Sequence, residues 1–276
     1  MSKFYNRTRK SESISSKLFS QGRLHLIPLY YLLRLSDLSR EGIENSGSYQ
    51  FADHIYGNQA SGRLIIGKLL DKILLSLKSA QSFRARYLFA KVEIDKLINQ
   101  SGKTGKIKIL AVPCGLAREM FETIESLEAL DNFSGNVEWH GIDLDVELIN
   151  QLKTKAAGYK SKISFRGGNA FSELSWGSNK YDMIISMGFT EFLTDDDTMR
   201  FFRLAKKYLV DNGRLVTSAM TPHKLSDYLL RNIAELHTYY RDRDNITELV
   251  DASGLSPKRV YQDQHGLQTM VIAQPK

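Results

Sequence analysis

The segment from residue 106 to residue 119, KIKILAVPCGLARE, constrains the fold more than any other part of the chain. The aliphatic residues before the proline predict a buried strand, and the pattern after the glycine predicts a helix. The small residues between them allow a tight turn that a ligand can approach closely. A strand, a tight turn and a helix form the nucleotide-binding corner of an α/β sheet, where the first helical turn offers unpaired N–H groups.

Further strands and helices alternate after this corner. Strands are expected at residues 137–142, 162–166, 181–186 and 214–219, with a turn at Asp211-Asn212-Gly213 before the last of them. Because each loop follows the carboxyl end of a strand, the alternation indicates a mostly parallel sheet. The second strand ends in Asp143, and an acidic side chain at that position can accept hydrogen bonds from ribose hydroxyls.

The order of these pieces resembles the class I S-adenosylmethionine-dependent methyltransferases over residues 105–276. The resemblance implies a Rossmann-like sheet of seven mostly parallel strands, closed by an antiparallel hairpin at residues 254–273. It also implies an enzyme with S-adenosylmethionine as its cofactor. Residues 51–63 resemble a segment of bacterial methyltransferases of unassigned substrate, some of them fused to or neighbouring α/β-hydrolases.

The resemblance carries cofactor contacts over to the loops that follow the first four strands. The first loop corresponds to the position under the methionine and ribose, Asp143 to the ribose ligand, and Leu144 and Asn169 to positions beside adenine. The full set is Pro113, Cys114, Gly115, Ala117, Asp143, Leu144, Asn169, Ala170, Phe171, Ser186, Met187 and Gly188. No metal site is expected.

Two departures from the family pattern occur at the first loop, one two positions before its proline and one within it. Ala111 stands where the family has an acidic residue, so another group has to anchor the amino-acid end of the cofactor. Arg63 is our candidate, because a guanidinium pairs with a carboxylate through two parallel hydrogen bonds. Ala117 stands where the family has glycine, which is tolerable if its φ is negative.

Methyl transfer needs an aligned nucleophile and exclusion of water, and a carboxylate acceptor needs no base. Glu191, after the fourth strand, and His223, after the fifth, are the candidate bases. Aromatic and polar side chains are expected to contact the substrate, namely His54, Tyr56, Asn58, Phe189, Tyr239 and Tyr240. His54 taken alone is better explained as a structural residue.

Residues 1–104 are expected to form a basic helical cap or lid. Apolar spacing predicts helices at 24–38, 62–77 and 83–100, with loops at 42–47 and 51–63 and a linker at 101–105. In the second of these helices the polar residues Lys68, Asp71 and Lys72 are predicted to lie opposite the apolar face. Such helices would cover the open end of the sheet or close over an apolar substrate.

Charge is distributed unevenly along the chain, whose net charge is +7. Residues 1–104 hold 17 Lys and Arg against 8 Asp and Glu, whereas the remainder holds 21 against 23. The excess in the first part allows contact with an anionic surface, or a solvated surface with no partner.

The single cysteine and the polar N-terminus favour a cytoplasmic protein without a secretory signal or transmembrane segment. Cys114 is either a small residue of the cofactor turn or a reactive thiol. The oligomeric state does not follow from the sequence.

The favoured function is methyl transfer to a small acceptor, apolar or anionic and including lipid-like molecules, at a hydroxyl or carboxylate oxygen. The sequence lacks an Asn-Pro-Pro-Tyr-like tetrapeptide at the fourth strand, which disfavours amino methylation. Two alternatives stay open. One is a nucleic-acid methyltransferase that uses the basic region, and the other is a noncatalytic module that binds S-adenosylmethionine.

Overall fold

A computed structural model describes residues 14–45, 47–101, 106–130 and 136–276. These residues form two compact units. The first unit comprises residues 14–84 and 222–238, and the second comprises the described residues of 85–221 and 239–276. Apart from Ser101, which is helical, the predicted linker 101–105 and the predicted boundary after residue 104 lie outside the described residues. Residues 1–13, which include most of the polar N-terminus, also lie outside the described residues.

The elements are numbered here in chain order. The helices are α1 (Ile14–Ser20), α2 (Leu26–Leu33), α3 (Asp37–Glu44), α4 (Tyr49–Gly57), α5 (Leu64–Ser76), α6 (Lys78–Ser101), α7 (Arg118–Glu128), α8 (Val146–Ala156), α9 (Glu173–Trp176), α10 (Asp195–Tyr208), α11 (Lys224–Asn232) and α12 (Arg243–Ala252). The strands are β1 (Ile107–Ala111), β2 (Val137–Asp143), β3 (Lys162–Gly167), β4 (Tyr181–Ser186), β5 (Leu209–Met220), β6 (Leu255–Gln262) and β7 (Gln268–Pro275), and a 3₁₀ helix spans Thr190–Phe192.

The second unit contains a seven-stranded sheet in the order β3-β2-β1-β4-β5-β7-β6. The first five strands of this order are parallel, and β7 pairs antiparallel with both β5 and β6. The fold class expected from the sequence is therefore confirmed. The aliphatic side chains of β1 and β4 are buried because helices cover both faces of a parallel sheet.

The turn Asp211-Asn212-Gly213 was predicted to precede the fifth strand, but these residues lie inside β5. The pairing of β4 with β5 jumps from Tyr181–Leu209 to Met183–Arg214. The residues between the two pairs form a bulge, which turn-forming residues tolerate without ending the strand.

The first unit is helical, and helices occupy parts of both predicted loops, 42–47 and 51–63. Ser36 accepts a hydrogen bond from the Ser39 N–H and starts α3, so the predicted helix 24–38 is two helices. Helix α3 includes Gly42, which was expected in a loop. Ser48 caps α4 in the same way, and α4 occupies much of the expected loop 51–63.

Helix α5 exposes Lys68 and Lys72 as predicted, but its buried side differs from the predicted one. Asp71 was expected at the surface, but it is fully buried, whereas Ile65, Leu69 and Ile73 are exposed. Gly67 lies on the buried side, where a β-carbon would collide with the Leu35 carbonyl oxygen. The close approach that glycine permits brings Asp71 against the neighbouring backbone.

The Asp71 carboxylate joins three segments of the first unit. One oxygen accepts from Ser36 Oγ at 2.5 Å and from the Leu38 N–H at 3.3 Å. The other accepts from the N–H groups of Ser61 and Gly62 at 2.9 and 2.7 Å. A buried carboxylate is tolerated when donors surround it in this way.

We expect Asp71→Ala to destabilise the first unit by about 3 kcal/mol, because it leaves several buried donors without an acceptor. Hydrogen exchange of α3 and α5, followed by mass spectrometry, would show the loss of protection. Lys68→Ala, on the exposed side of the same helix, should leave the exchange unchanged. Equal protection in Asp71→Ala and the parent protein would contradict the role given to this carboxylate.

Candidate functional site

The carboxyl ends of β3, β2, β1 and β4 lie side by side in the second unit. We call the loops that follow them, residues 112–117, 143–145, 168–171 and 186–192, the strand-end site. The Val112 N–H donates to the Ile185 carbonyl at 2.9 Å, and the Cys114 N–H donates to the Ile142 carbonyl at 2.8 Å. These bonds hold the loop after β1 between its two neighbouring strands.

Asp143 connects three of the four loops. Its side chain accepts from the Gly115 N–H at 3.0 Å and from the Asp145 N–H at 3.1 Å. Its backbone carbonyl accepts from the Gly168 N–H at 2.8 Å. Asp143 is buried, and each carboxylate oxygen can accept more than one hydrogen bond. The predicted ribose ligand is thus also the residue that positions the turn.

The turn after β1 contains a cis peptide bond between Val112 and Pro113. Gly115 and Ala117 both have φ of 48°, in the left-handed region. The condition for tolerating alanine here, a negative φ, is therefore not met at Ala117, and alanine costs about 1 kcal/mol or more relative to glycine in this conformation. The following helix starts directly after this residue, so the strain is stored at the point where the turn meets α7.

The structure favours the packing role of Cys114 over the reactive one. The thiol is buried, and burial raises its pKa well above the ordinary value. A β-carbon added at Gly141 would lie 3.1 Å from the Cys114 sulfur and 2.5 Å from the Phe165 ring. A deprotonated, nucleophilic thiolate is disfavoured in such surroundings.

The residues predicted beside adenine lie at and after the ends of β2 and β3. The Asn169 side-chain oxygen accepts from the Phe171 N–H at 2.9 Å, which fixes the side chain. The Ala170 carbonyl accepts from the Trp176 indole N–H at 3.0 Å. Leu144, which follows the buried end of β2, is 45% exposed. An apolar ring could cover this side chain.

The loop after β4 is anchored from β5. Thr217 Oγ1 donates to the Ser186 carbonyl, and the Gly188 N–H, at a φ of 74°, donates to Ser218 Oγ. The Ser186 hydroxyl is buried and has no hydrogen-bond partner among the described residues. Met187 between them is partly buried. Phe189 packs edge-on against Phe201 with 5.1 Å between ring centroids, so it belongs to the wall of this loop.

Two buried arginines hold the same loop. Arg86 donates to the Glu191 carboxylate at 2.5 Å, and Gly188 leaves room for its guanidinium. Arg241 donates to the carbonyls of Thr190 and Leu193 at 2.7 and 2.6 Å. Burial raises the pKa of Glu191, although Arg86 acts in the opposite direction. Sequence reasoning missed Arg86, because no local pattern distinguishes it in α6.

The remaining predicted site residues occupy three environments. Tyr239 donates its N–H to the Glu191 carbonyl, and Tyr240 follows it, partly buried. His223 lies in the first unit, where its ring caps α11 by accepting from the Ser226 N–H. The other four predicted residues also belong to the first unit. They are His54, which contacts the Gln59 carbonyl at 3.1 Å, Tyr56 in α4, Asn58 at the end of α4 and Arg63 at the start of α5. Their functional roles stay predictions.

Glu119, in the first turn of α7, is a further candidate that the sequence did not single out. Burial raises its pKa from 4.5 to about 7. No hydrogen bond or ion pair joins its carboxylate to a cationic side chain in the described part of the chain. Glu122, three residues later, pairs instead with Lys91 and Arg118. Glu119 is therefore a carboxylate beside the turn that lacks a positive partner.

The sequence matches the model of a family described as "Putative methyltransferase" over residues 33–275. The chain belongs to this family. No curated protein matches the sequence of this methyltransferase.

Solved structures share the fold of this methyltransferase at low sequence identity. A possible exported protein from Bordetella parapertussis is 18% identical with a TM-score of 0.73, over 96% of this chain and 97% of its own. The magnesium protoporphyrin IX methyltransferase from Synechocystis PCC 6803, with bound S-adenosylhomocysteine, is 14% identical with a TM-score of 0.55, over 81% and 93%. An S-adenosylmethionine-dependent methyltransferase from Clostridium acetobutylicum ATCC 824 is 11% identical with a TM-score of 0.52, over 67% and 89%.

The described residues contain no group of three or more His, Cys, Asp and Glu side chains placed to hold a metal ion. No helix in the same part of the chain has the length and apolar character required to cross a membrane.

We expect Glu119→Gln to stabilise the ligand-free protein at pH 8 and to have little effect at pH 5. The folded-state pKa of about 7 exceeds the ordinary 4.5, so folding is favoured while Glu119 is protonated, and this contribution is lost as pH rises through about 7. Glu119 is only partly buried, so solvent reduces the penalty for its ionised form, and the difference at pH 8 should be about 1 to 2 kcal/mol.

Thermal unfolding at the two pH values would measure this difference. Glu122→Gln is the matched control, because the pKa of Glu122 is lowered to about 2 by its cationic partners and by Tyr87. That variant should lose stability at pH 8. If Glu119→Gln behaved like Glu122→Gln, the carboxylate would have a stabilising partner, and the argument for Glu119 would fail.

Proposed function

We propose that this methyltransferase transfers the methyl group of S-adenosylmethionine to a small acceptor at a carboxylate or hydroxyl oxygen. The observation that carries the proposal is the position of Asp143, which links the loops after β1, β2 and β3 through side-chain and backbone hydrogen bonds. This arrangement collects a carboxylate and a tight turn at one edge of a parallel sheet, where ligands of such sheets bind.

The residues of the strand-end site fit the parts of the cofactor. Each carboxylate oxygen of Asp143 can accept more than one hydrogen bond, so ribose hydroxyls can donate to this side chain as well. Leu144 offers an exposed apolar surface for adenine, and the Asn169 amide nitrogen can donate to a ring nitrogen. When bound, S-adenosylmethionine supplies the electrophilic methyl carbon of its sulfonium.

Glu119 can supply the anchor that Ala111 cannot. The cofactor's amino-acid end carries an ammonium group, and Glu119 is a carboxylate without a cationic partner beside the turn. An ammonium group nearby would lower the pKa of Glu119 and offset the desolvation that raises it. The residue would then be ionised in the complex at neutral pH, and Glu119→Gln should weaken cofactor binding while it stabilises the free protein.

The preference for an oxygen acceptor that needs no base rests on the loop after β4. Glu191 is the one acidic residue between residues 186 and 192, and it is buried in a pair with Arg86. Its pairing opposes a role as general base, because proton transfer would have to break a buried ion pair. A carboxylate acceptor is a nucleophile without deprotonation. The Synechocystis methyltransferase of similar fold is likewise named for a small-molecule acceptor.

The cofactor site is tested by the affinity for S-adenosylhomocysteine in Asp143→Ala, measured by calorimetry. We expect the dissociation constant to rise by roughly 10- to 100-fold, since both the ribose acceptor and the support of Gly115 are removed. Asp182→Ala is the matched control, because Asp182 also accepts a backbone N–H, from Lys108 at 2.8 Å, but at the opposite end of the strands.

Asp143→Asn separates the two roles of this side chain. The amide oxygen can still accept from Gly115, but the amide nitrogen then faces the Asp145 N–H and cannot accept from it, and the negative charge that strengthens a bond to a ribose hydroxyl is lost. An intermediate affinity supports both roles. Full affinity in Asp143→Ala would show that the ribose does not bind here.

The acceptor class is tested by following S-adenosylhomocysteine release with panels of carboxylic acids, phenols and RNA. Turnover is expected with apolar carboxylic acids, and for these the rate should stay nearly constant above about pH 5, where the acceptor is ionised. With S-adenosylmethionine at a saturating concentration, so that ionisation of Glu119 on cofactor binding does not contribute, a rate that rises with pH near neutrality would indicate a base and a hydroxyl acceptor. Turnover on RNA alone, or cofactor binding without turnover on any panel, would contradict the proposed acceptor.

A further inference from the structure

Helix α5 exposes a continuous row of large aliphatic side chains. Ile65, Leu69 and Ile73, spaced four residues apart, are 86, 56 and 50% exposed, and Ile66 beside them is 52% exposed. We call these four residues the α5 stripe. Single exposed apolar residues are common at protein surfaces, but a row along one helix marks a surface that another molecule covers.

The exposed charge of α5 is entirely positive. Lys68 and Lys72 are exposed, and the only acidic residue of the helix, Asp71, is buried. A helix with an apolar outer face bordered by lysines has the composition that binds in the plane of an anionic membrane interface. Lysine side chains can extend from such a helix to reach phosphate groups.

A cavity of about 400 Å³ lies beside the stripe in the first unit. Two cations, Lys72 and Arg84, line it, and its other lining residues carry no negative charge. These are Asn58, Ala60, Leu75, Ser76 and Gln81. Arg84 donates to the Leu75 carbonyl at 2.8 Å, which fixes the guanidinium against the cavity wall. A cavity lined by two cations and several hydrogen-bond donors, with no acidic side chain, is suited to bind a phosphate group.

We propose that the first unit binds the surface of an anionic lipid bilayer through α5. The stripe enters the interfacial region, and the phosphate of a lipid headgroup occupies the cavity at Lys72 and Arg84. This interaction goes beyond methyl transfer and does not depend on it, because the stripe and the cavity belong to the first unit alone.

Charge distinguishes the bilayer from a second copy of the chain as the occupant. Pairing two α5 helices would bring Lys68 and Lys72 of each copy to an interface to which α5 contributes no exposed acid. Residues 1–104 as a whole hold 17 basic against 8 acidic residues. An anionic bilayer satisfies both the apolar stripe and its cations.

The test is flotation of the full chain with vesicles of phosphatidylcholine, alone or with one third phosphatidylglycerol. We expect binding to the anionic vesicles at least tenfold above binding to the neutral ones, and weaker binding as salt is added. Inorganic phosphate is the competing probe. It should reduce binding only slightly, because it cannot replace the apolar contact.

Two variants test the surface. Ile65→Ser combined with Leu69→Ser should lower binding by roughly 10- to 100-fold, whereas Leu130→Ser, which alters a residue 60% exposed in the second unit, should not. Lys72→Glu should lower binding by roughly tenfold or more, whereas Lys153→Glu, at an exposed position of α8 in the second unit, should have little effect.

Three outcomes would overturn the proposal. The first is no preference for anionic vesicles, and the second is equal losses in the test and control variants. The third is self-association detected by analytical ultracentrifugation that the Ile65 and Leu69 substitutions abolish, without vesicle binding. That result would assign the stripe to a second copy. Circular dichroism of each variant confirms that losses do not come from unfolding.

Discussion

The strand-end site depends on the hydrogen bonds that Asp143 accepts. Its carboxylate accepts from the Gly115 N–H, and its backbone carbonyl accepts from the Gly168 N–H, so one residue links the loops of three neighbouring strands. Parallel strands place their carboxyl ends at one edge, but they do not fix the loops there. Asp143 does, because its acceptors are buried and their donors have fixed positions. A ligand therefore meets a turn that is already ordered and needs little reorganisation.

The sheet was predictable because its information is local. Each parallel strand is a short aliphatic run, and each carboxyl end is marked by small or polar residues within the next few positions. The positions of Asp143 and Asn169 at the site follow from the same rule. The conformation of Ala117 was not predictable, because alanine disfavours a positive φ and only the completed turn imposes it. The bulge in β5 was also hidden, since its residues are those of an ordinary turn.

The support of the loop after β4 could not be predicted, since its donors are distant in sequence. Arg86 pairs with a residue 105 positions away, and Arg241 reaches carbonyls 48 and 51 positions away. Neither arginine lies in a motif, and most arginines are surface residues. Their burial becomes favourable only when the loop presents carbonyls and the Glu191 carboxylate. The same pairing explains why a conspicuous acid beside a methyltransferase site is better suited to holding the loop than to removing a proton.

Helix α5 shows how one unpredictable contact changes the interpretation of a surface. Periodicity identifies an apolar side of a helix but not the side on which the rest of the protein lies. Here the Asp71 carboxylate finds donors on segments 9 to 35 residues away, and Gly67 permits the close approach. Once Asp71 is inside, the side of the helix that carries Ile65, Leu69 and Ile73 has to face outward. Water contact with that side is unfavourable by about 25 cal/mol per Å². The contact that forms the first unit therefore also creates the surface that a bilayer would cover.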